Sequence, residues 1–170
     1  MALKNFHHVA LSTADMEKVF AFYRDLLGLE VTVDVELDFS EPNPENFPGA
    51  EMHATAVWMK RTRARFVNMQ VPGGTANIEV FQYLTPAGKN VEGQQLRQYD
   101  RRISHFGFQV DDIHAMVEKL QNAGVEFHWS PAADVGMGTL ATYLYDFEGN
   151  TVELIQQPEL SGLGLNQNQA

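Results

Sequence analysis

Four side chains in this 170-residue sequence stand where chemistry could be done: His8, Glu79, His105 and Glu153. Each histidine falls in an alternating apolar–polar run, and each glutamate interrupts an apolar one, Ile78-Glu79-Val80 and Val152-Glu153-Leu154. A carboxylate among apolar neighbours is costly to bury unless it is paired or bound to a cation. Two imidazoles and two carboxylates would meet that requirement together by holding one divalent ion. The chain has no cysteine, so disulfides and thiol nucleophiles are excluded and any metal must be held by nitrogen and oxygen. Taken singly, each residue has a plainer reading. A strand histidine is commonly a satisfied or surface group, and a lone strand glutamate commonly faces solvent.

What joins the four is a duplicated unit. His8 lies seven residues before Asp15, and His105 lies seven before Asp112. Gly28 and Gly124 follow the two histidines by 20 and 19 residues. Each copy reads as a strand, a helix and then more strands. Asp15 and Asp112 suit helix N-caps, and Gly28 and Gly124 suit the left-handed residue that ends a helix. Between them, Met16, Val19, Phe20, Tyr23 and Leu27 in one copy, and Ile113, Met116, Val117 and Leu120 in the other, have helical apolar spacing. Later strands are expected around 55–60, 65–71, 76–83, 140–146 and 150–156, with Phe147-Glu148-Gly149-Asn150 as a turn.

Alternation predicts which side chains share a face. His8, Ala10 and Ser12 lie opposite Val9 and Leu11, and His105, Gly107 and Gln109 lie opposite Phe106, Phe108 and Val110. Both histidines thus belong to the face away from the helix, followed by small residues that leave room for a guest. A polar segment, Thr85 to Arg102, joins the copies. Residues 37–52, rich in proline, and Val135-Gly136-Met137-Gly138-Thr139 read as loops that either fold over the site or simply connect strands.

The formal charge of −10 repels phosphate backbones and anionic lipids, so nucleic acid and membrane are unexpected partners. The one basic cluster, Lys60-Arg61-Thr62-Arg63-Ala64-Arg65, reads as a solvated hairpin turn, with a local anion site as the sharper alternative. No basic segment followed by an apolar run opens the chain, and the lack of cysteine fits a cytoplasmic location.

His8-Val9-Ala10-Leu11 with Asp15, and Phe22-Tyr23-Arg24-Asp25-Leu26-Leu27-Gly28-Leu29, resemble the first module of the vicinal oxygen chelate superfamily of glyoxalases, bleomycin resistance proteins and extradiol dioxygenases. His105-Phe106-Gly107-Phe108-Gln109-Val110-Asp111-Asp112, with Asp146 through Leu154, resemble the second. The resemblance implies an α+β fold in which two βαβββ modules form a cup around one divalent metal held by His8, Glu79, His105 and Glu153. A single domain is expected over 1–157, with module one at about 5–84, module two at about 103–157 and a flexible tail over 158–170. It also implies a homodimer and a small-molecule substrate.

The order His, Glu, His, Glu resembles that of glyoxalase I and methylmalonyl-CoA epimerase. It implies a lyase or isomerase acting on a small carbonyl compound, of the 2-oxo or thioester type, through a metal-stabilised enolate, with Glu153 or Glu79 as the base. The metal would be nickel, cobalt, zinc, manganese or iron. Ser12 replaces the arginine, and Tyr83 the asparagine, with which bacterial glyoxalase I enzymes hold glutathione, which argues away from that substrate. Alternatives are an iron(II) dioxygenase using His8, His105 and Glu153, and a protein that binds a drug or metabolite. For the dioxygenase, His53, His128, Tyr143 and Tyr145 are candidate assisting groups. His114 and His128 otherwise read as surface histidines.

Overall fold

The computed structural model describes residues 4–39, 61–88, 103–130, 132–136 and 138–158. The expected strand at 55–60, His53, most of the 37–52 loop and all but the first residue of the 158–170 tail lie outside them. The chain divides into two compact units, Met1–Glu92 and Gly93–Ala170.

In the first unit β1 (His8–Thr13) leads into α1 (Met16–Val19), which continues as a π-helix, π1 (Phe20–Leu26). Three strands follow: β2 (Glu30–Asp38), β3 (Arg63–Gln70) and β4 (Asn77–Thr85). They form one sheet in the order β1-β4-β3-β2, with β1 parallel to β4 and the other pairs antiparallel. A parallel neighbour cannot be reached through a tight turn, so the helix and the β2–β3 hairpin serve as the crossover.

The second unit repeats this plan. It runs β5 (Phe106–Gln109), α2 (Ile113–Asn122), β6 (Ala133–Gly136), β7 (Thr139–Tyr145) and β8 (Thr151–Gln156), in the sheet order β5-β8-β7-β6. The expected βαβββ modules are therefore present, each with a four-stranded mixed sheet.

Both helices start as expected. Asp15 Oδ1 accepts from the amides of Glu17 and Lys18, and Asp112 Oδ1 accepts from that of Ala115. Gly28 and Gly124 end them at φ 83° and 80°, a region that side chains with a Cβ enter only at a cost. A glutamine then ties each helix start to its sheet. Gln82 donates to the Ala14 carbonyl, and Gln156 accepts from the Ile113 amide.

On the helix face of the first sheet Val67, Met69, Ile78 and Val80 are buried with Met16, Val19, Phe20 and Tyr23. The second unit buries Ile113, Val117 and Leu120 with Leu144, Val152 and Leu154. Each such side chain contributes roughly 1.5–3 kcal/mol of transfer free energy.

Three features depart from expectation. The first helix widens to i→i−5 pairing, with Leu27 N bonding Phe22 O at 3.0 Å. The extra residue per turn brings Phe22 into the buried face beside Tyr23, and their rings meet edge-on at 4.9 Å. Leu27 is left half-buried. Next, β2 occupies a stretch where no strand was anticipated, and it takes in Leu37 and Asp38 from the expected loop. Val31, Val33, Val35 and Leu37 alternate there with polar residues, a period that the charged partners disguise. Finally, Val135 and Gly136 end β6 and Thr139 opens β7, so the second expected loop is mainly a hairpin.

The basic cluster divides in the same manner. Arg61 holds a turn at φ 61°, and Arg63 and Arg65 lie in β3. Arg65 donates to both oxygens of Asp34 at 2.9 and 2.8 Å, and Arg63 donates to Glu36. These guanidinium groups are engaged by carboxylates across the strand pair, which agrees better with the solvated turn than with an anion site.

Candidate metal centre

β4 and β8 each carry one glutamate between buried apolar neighbours. Ile78 and Val80 face the first helix and Val152 and Leu154 the second, so period-two alternation sends Glu79 and Glu153 to the opposite face. In register, Glu79 stands across from Ala10, and Glu153 across from Gly107. Each histidine lies two residues before that partner and on the same face.

The geometry that follows is closely matched in the two units. His8 Nδ1 lies 3.6 Å from Glu79 Oε1, and His105 Nε2 lies 3.5 Å from Glu153 Oε2. Each unit thus brings its sequence-predicted pair together. The glutamate side chains are only 19% and 17% exposed, which makes a partner for their charge a physical requirement. The opposing small residues give them room. A Cβ placed on Gly107 would stand 3.1 Å from Glu153 Oε2, so this glycine forms part of the cradle around the carboxylate.

The hairpin that carries Glu153 is firmly tied. Asp146 Oδ1 accepts from the amides of Glu148 and Asn150, and its Oδ2 accepts from the Asn150 side chain. Gly149 closes the turn at φ 83°. This turn holds Tyr143 opposite Glu153 in the β7–β8 register. Burial, then the neighbouring Glu153 carboxylate, push the Tyr143 phenol up to about 12. The Tyr143 ring also meets His105 edge-on at 5.1 Å.

His128 is half-buried and stacked on Tyr145 at 4.0 Å, which corrects its reading as a surface histidine. Burial there lowers its pKa, so it favours the neutral ring. Trp129 tilts against Tyr143 at 4.9 Å. His114 is exposed on α2, as expected.

The first unit has different surroundings. Asn68 stands across from Glu79 where the second unit has Tyr143. The Thr32 hydroxyl donates to Asn68 Oδ1 at 2.9 Å, which fixes that amide. His7 places its Nδ1 2.9 Å from His8 Nδ1, and His7, His8 and Glu79 together offer ligand atoms all within 4.8 Å of one another. Sequence reasoning passed over His7 because strict alternation would turn it from the site. It lies just before β1, outside the regular pleat, and its carbonyl accepts from the Asn77 amide. Tyr143 was singled out by type but had no assigned position; ten-residue spacing from Glu153 across a tight hairpin was the available signal.

These donors fit a divalent transition metal, since imidazole and carboxylate together suit zinc, nickel, cobalt, manganese or iron(II). Among the described residues no helix is long and apolar enough to cross a membrane.

Solved structures with the same fold include a glyoxalase family protein from Bacillus cereus, at 16% identity and a TM-score of 0.70, covering 94% of this chain and 97% of that one. An antibiotic-binding protein from Streptomyces sp. aligns at 16% identity and TM-score 0.56, covering 93% and 99% of the two chains. A genomically encoded fosfomycin resistance protein from Listeria monocytogenes aligns at 17% identity and TM-score 0.56, covering 92% and 96%. No curated protein matches the chain. The family model of the Glyoxalase/Bleomycin resistance protein/Dioxygenase superfamily matches residues 5–154, and the chain belongs to that superfamily.

Proposed function

We propose that this protein is a metal-dependent lyase or isomerase that moves a proton next to a carbonyl in a small 2-oxo or thioester substrate. His8, Glu79, His105 and Glu153 would hold one divalent ion. The observation that carries this reading is the pair of equivalent His–Glu approaches, 3.6 Å in one module and 3.5 Å in the other. An ion held there supplies Lewis acidity, polarising the carbonyl and lowering the cost of the negative charge that develops beside it.

The chain's own residues supply the proton chemistry. Glu153 takes the proton from the carbon next to the carbonyl, and the electron pair left behind delocalises onto the carbonyl oxygen. Returning that proton to the same carbon or its neighbour gives the isomerised product. The Tyr143 hydroxyl, across the strand pair from Glu153, orients the carboxylate while the proton is exchanged. Gly107 leaves the carboxylate the space to turn. Glu79, opposite Asn68, serves mainly to hold the ion.

Elemental analysis of the purified protein, followed by a screen of 2-oxo acids and thioesters in deuterated water, tests the reading. Bound nickel, cobalt, zinc or manganese with deuterium entering the carbon next to the carbonyl is the expected result. A protein that holds no metal and exchanges no proton would end it.

Two other readings have specific support. Tyr143 beside His105, with His128 against the Tyr143 ring, suits an iron(II) dioxygenase, for which oxygen uptake is the discriminating measurement. The fold shared with antibiotic-binding and fosfomycin resistance proteins favours a binding or resistance role, for which tight ligand binding without turnover is diagnostic.

A further inference from the structure

Each ligand histidine is preceded by a polar residue that reaches its Nδ1, and the two residues differ in kind. Ser104 Oγ lies 2.9 Å from His105 Nδ1, and His105 turns its other nitrogen, Nε2, toward Glu153. This is the usual arrangement of a ligand histidine, with one nitrogen held by an oxygen partner and the other free for the ion. In the first module the same place is taken by His7. There the Nδ1 of His8 is the atom that faces both Glu79 and the His7 ring.

We infer that His7 is itself a metal ligand, so that the first module contributes two imidazoles and a carboxylate. The inference rests on the metal-centre reading above. Two nitrogens bound at right angles to one ion, each about 2.1 Å from it, stand about 3 Å apart. The His7 and His8 Nδ1 atoms are 2.9 Å apart, and the Glu79 carboxylate completes a set spanning less than 4.8 Å. The rings are nearly perpendicular, at 85°, so two adjacent residues present lone pairs to one point without stacking. A hydroxyl at this position could only orient its neighbour, whereas an imidazole can bind. The third imidazole tilts the donor set toward nitrogen and hence toward nickel, copper and zinc over manganese or magnesium.

The test uses the full chain and His7→Ser, which gives the first module the arrangement of the second while keeping a hydroxyl beside His8. Protein loaded with one equivalent of copper(II) is examined by pulsed electron paramagnetic resonance, which counts coordinated imidazoles. Three in the parent and two in His7→Ser are expected. Chelator competition should show zinc affinity falling roughly 10- to 100-fold in the variant, with a smaller change for manganese. His7→Ala should match His7→Ser. Two imidazoles in both proteins, with a single metal bound, would overturn the role of His7 and leave the four-residue centre standing. Failure of the parent to bind either ion would overturn both.

Discussion

The two modules share a backbone plan and a His–Glu pair but surround that pair with opposite chemistry. In the first, Glu79 faces an amide, Asn68, and His8 faces a second imidazole. In the second, Glu153 faces a phenol whose proton is held up to about 12, and His105 is bonded to a serine hydroxyl. Rings of His128, Tyr145 and Trp129 gather around that second site. One module thus sets a second imidazole beside its His–Glu pair, and the other sets a phenol there. Duplication produces equivalent positions, and the residues at those positions then diverge.

The sharpest way to break this division is to neutralise each glutamate in turn. Glu153→Gln should lower turnover by about 10²- to 10⁴-fold through loss of the proton shuttle, a loss that excess metal does not restore. Glu79→Gln should mainly weaken metal binding, so that excess metal restores part of its activity. Equal losses, equally rescued by metal, would mean that the modules are interchangeable.

Tyr143→Phe should cost about tenfold to a hundredfold in turnover, the value of one hydrogen bond to a charged group. It also has a signature in alkali. As pH rises from 10.0 toward about 12, an unfolded chain has released this phenolic proton while the folded one retains it. The folded state therefore loses stability across that window, and Tyr143→Phe should flatten the decline in denaturant titrations.

Gly107→Ala and Ala10→Gly exchange the small residues opposite the two glutamates. The added Cβ, 3.1 Å from Glu153 Oε2, should shift that carboxylate and lower metal affinity several-fold, with folding changed by less than about 1 kcal/mol. Ala10→Gly should leave metal affinity unaltered. Similar effects at both positions would deny Gly107 its special fit.

The smallest effects belong to the helix caps. Asp15→Ala and Asp112→Ala should each cost about 1 kcal/mol in urea unfolding, because each removes a side-chain acceptor from the first turn. Asp15 accepts two amides and Asp112 one, so the first loss should be the larger.

Much of this organisation is legible locally. N-cap aspartates, terminal glycines and period-two runs are short-range signals, and the helices and the site-bearing strands follow them. The π-helix escaped notice because Phe22 looks surplus to a 3.6-residue stripe and becomes buried only when the turn widens. The charged members of β2 masked its alternation, since they are neutralised by Arg63 and Arg65 from a strand roughly 30 residues away.

From the sequence alone come the repeat, the alternation of each strand and a histidine and a glutamate at equivalent places in each copy, because these depend on spacing along the chain. Tertiary structure decided which nitrogen of each histidine turns to its glutamate, that Tyr143 and Asn68 occupy equivalent posts, and that the His7 ring lies beside that of His8. Those choices depend on strand register and on tight turns such as the one closed by Asp146. Register across a sheet is set by partners distant in the chain, and one residue of slip would send every side chain to the opposite face.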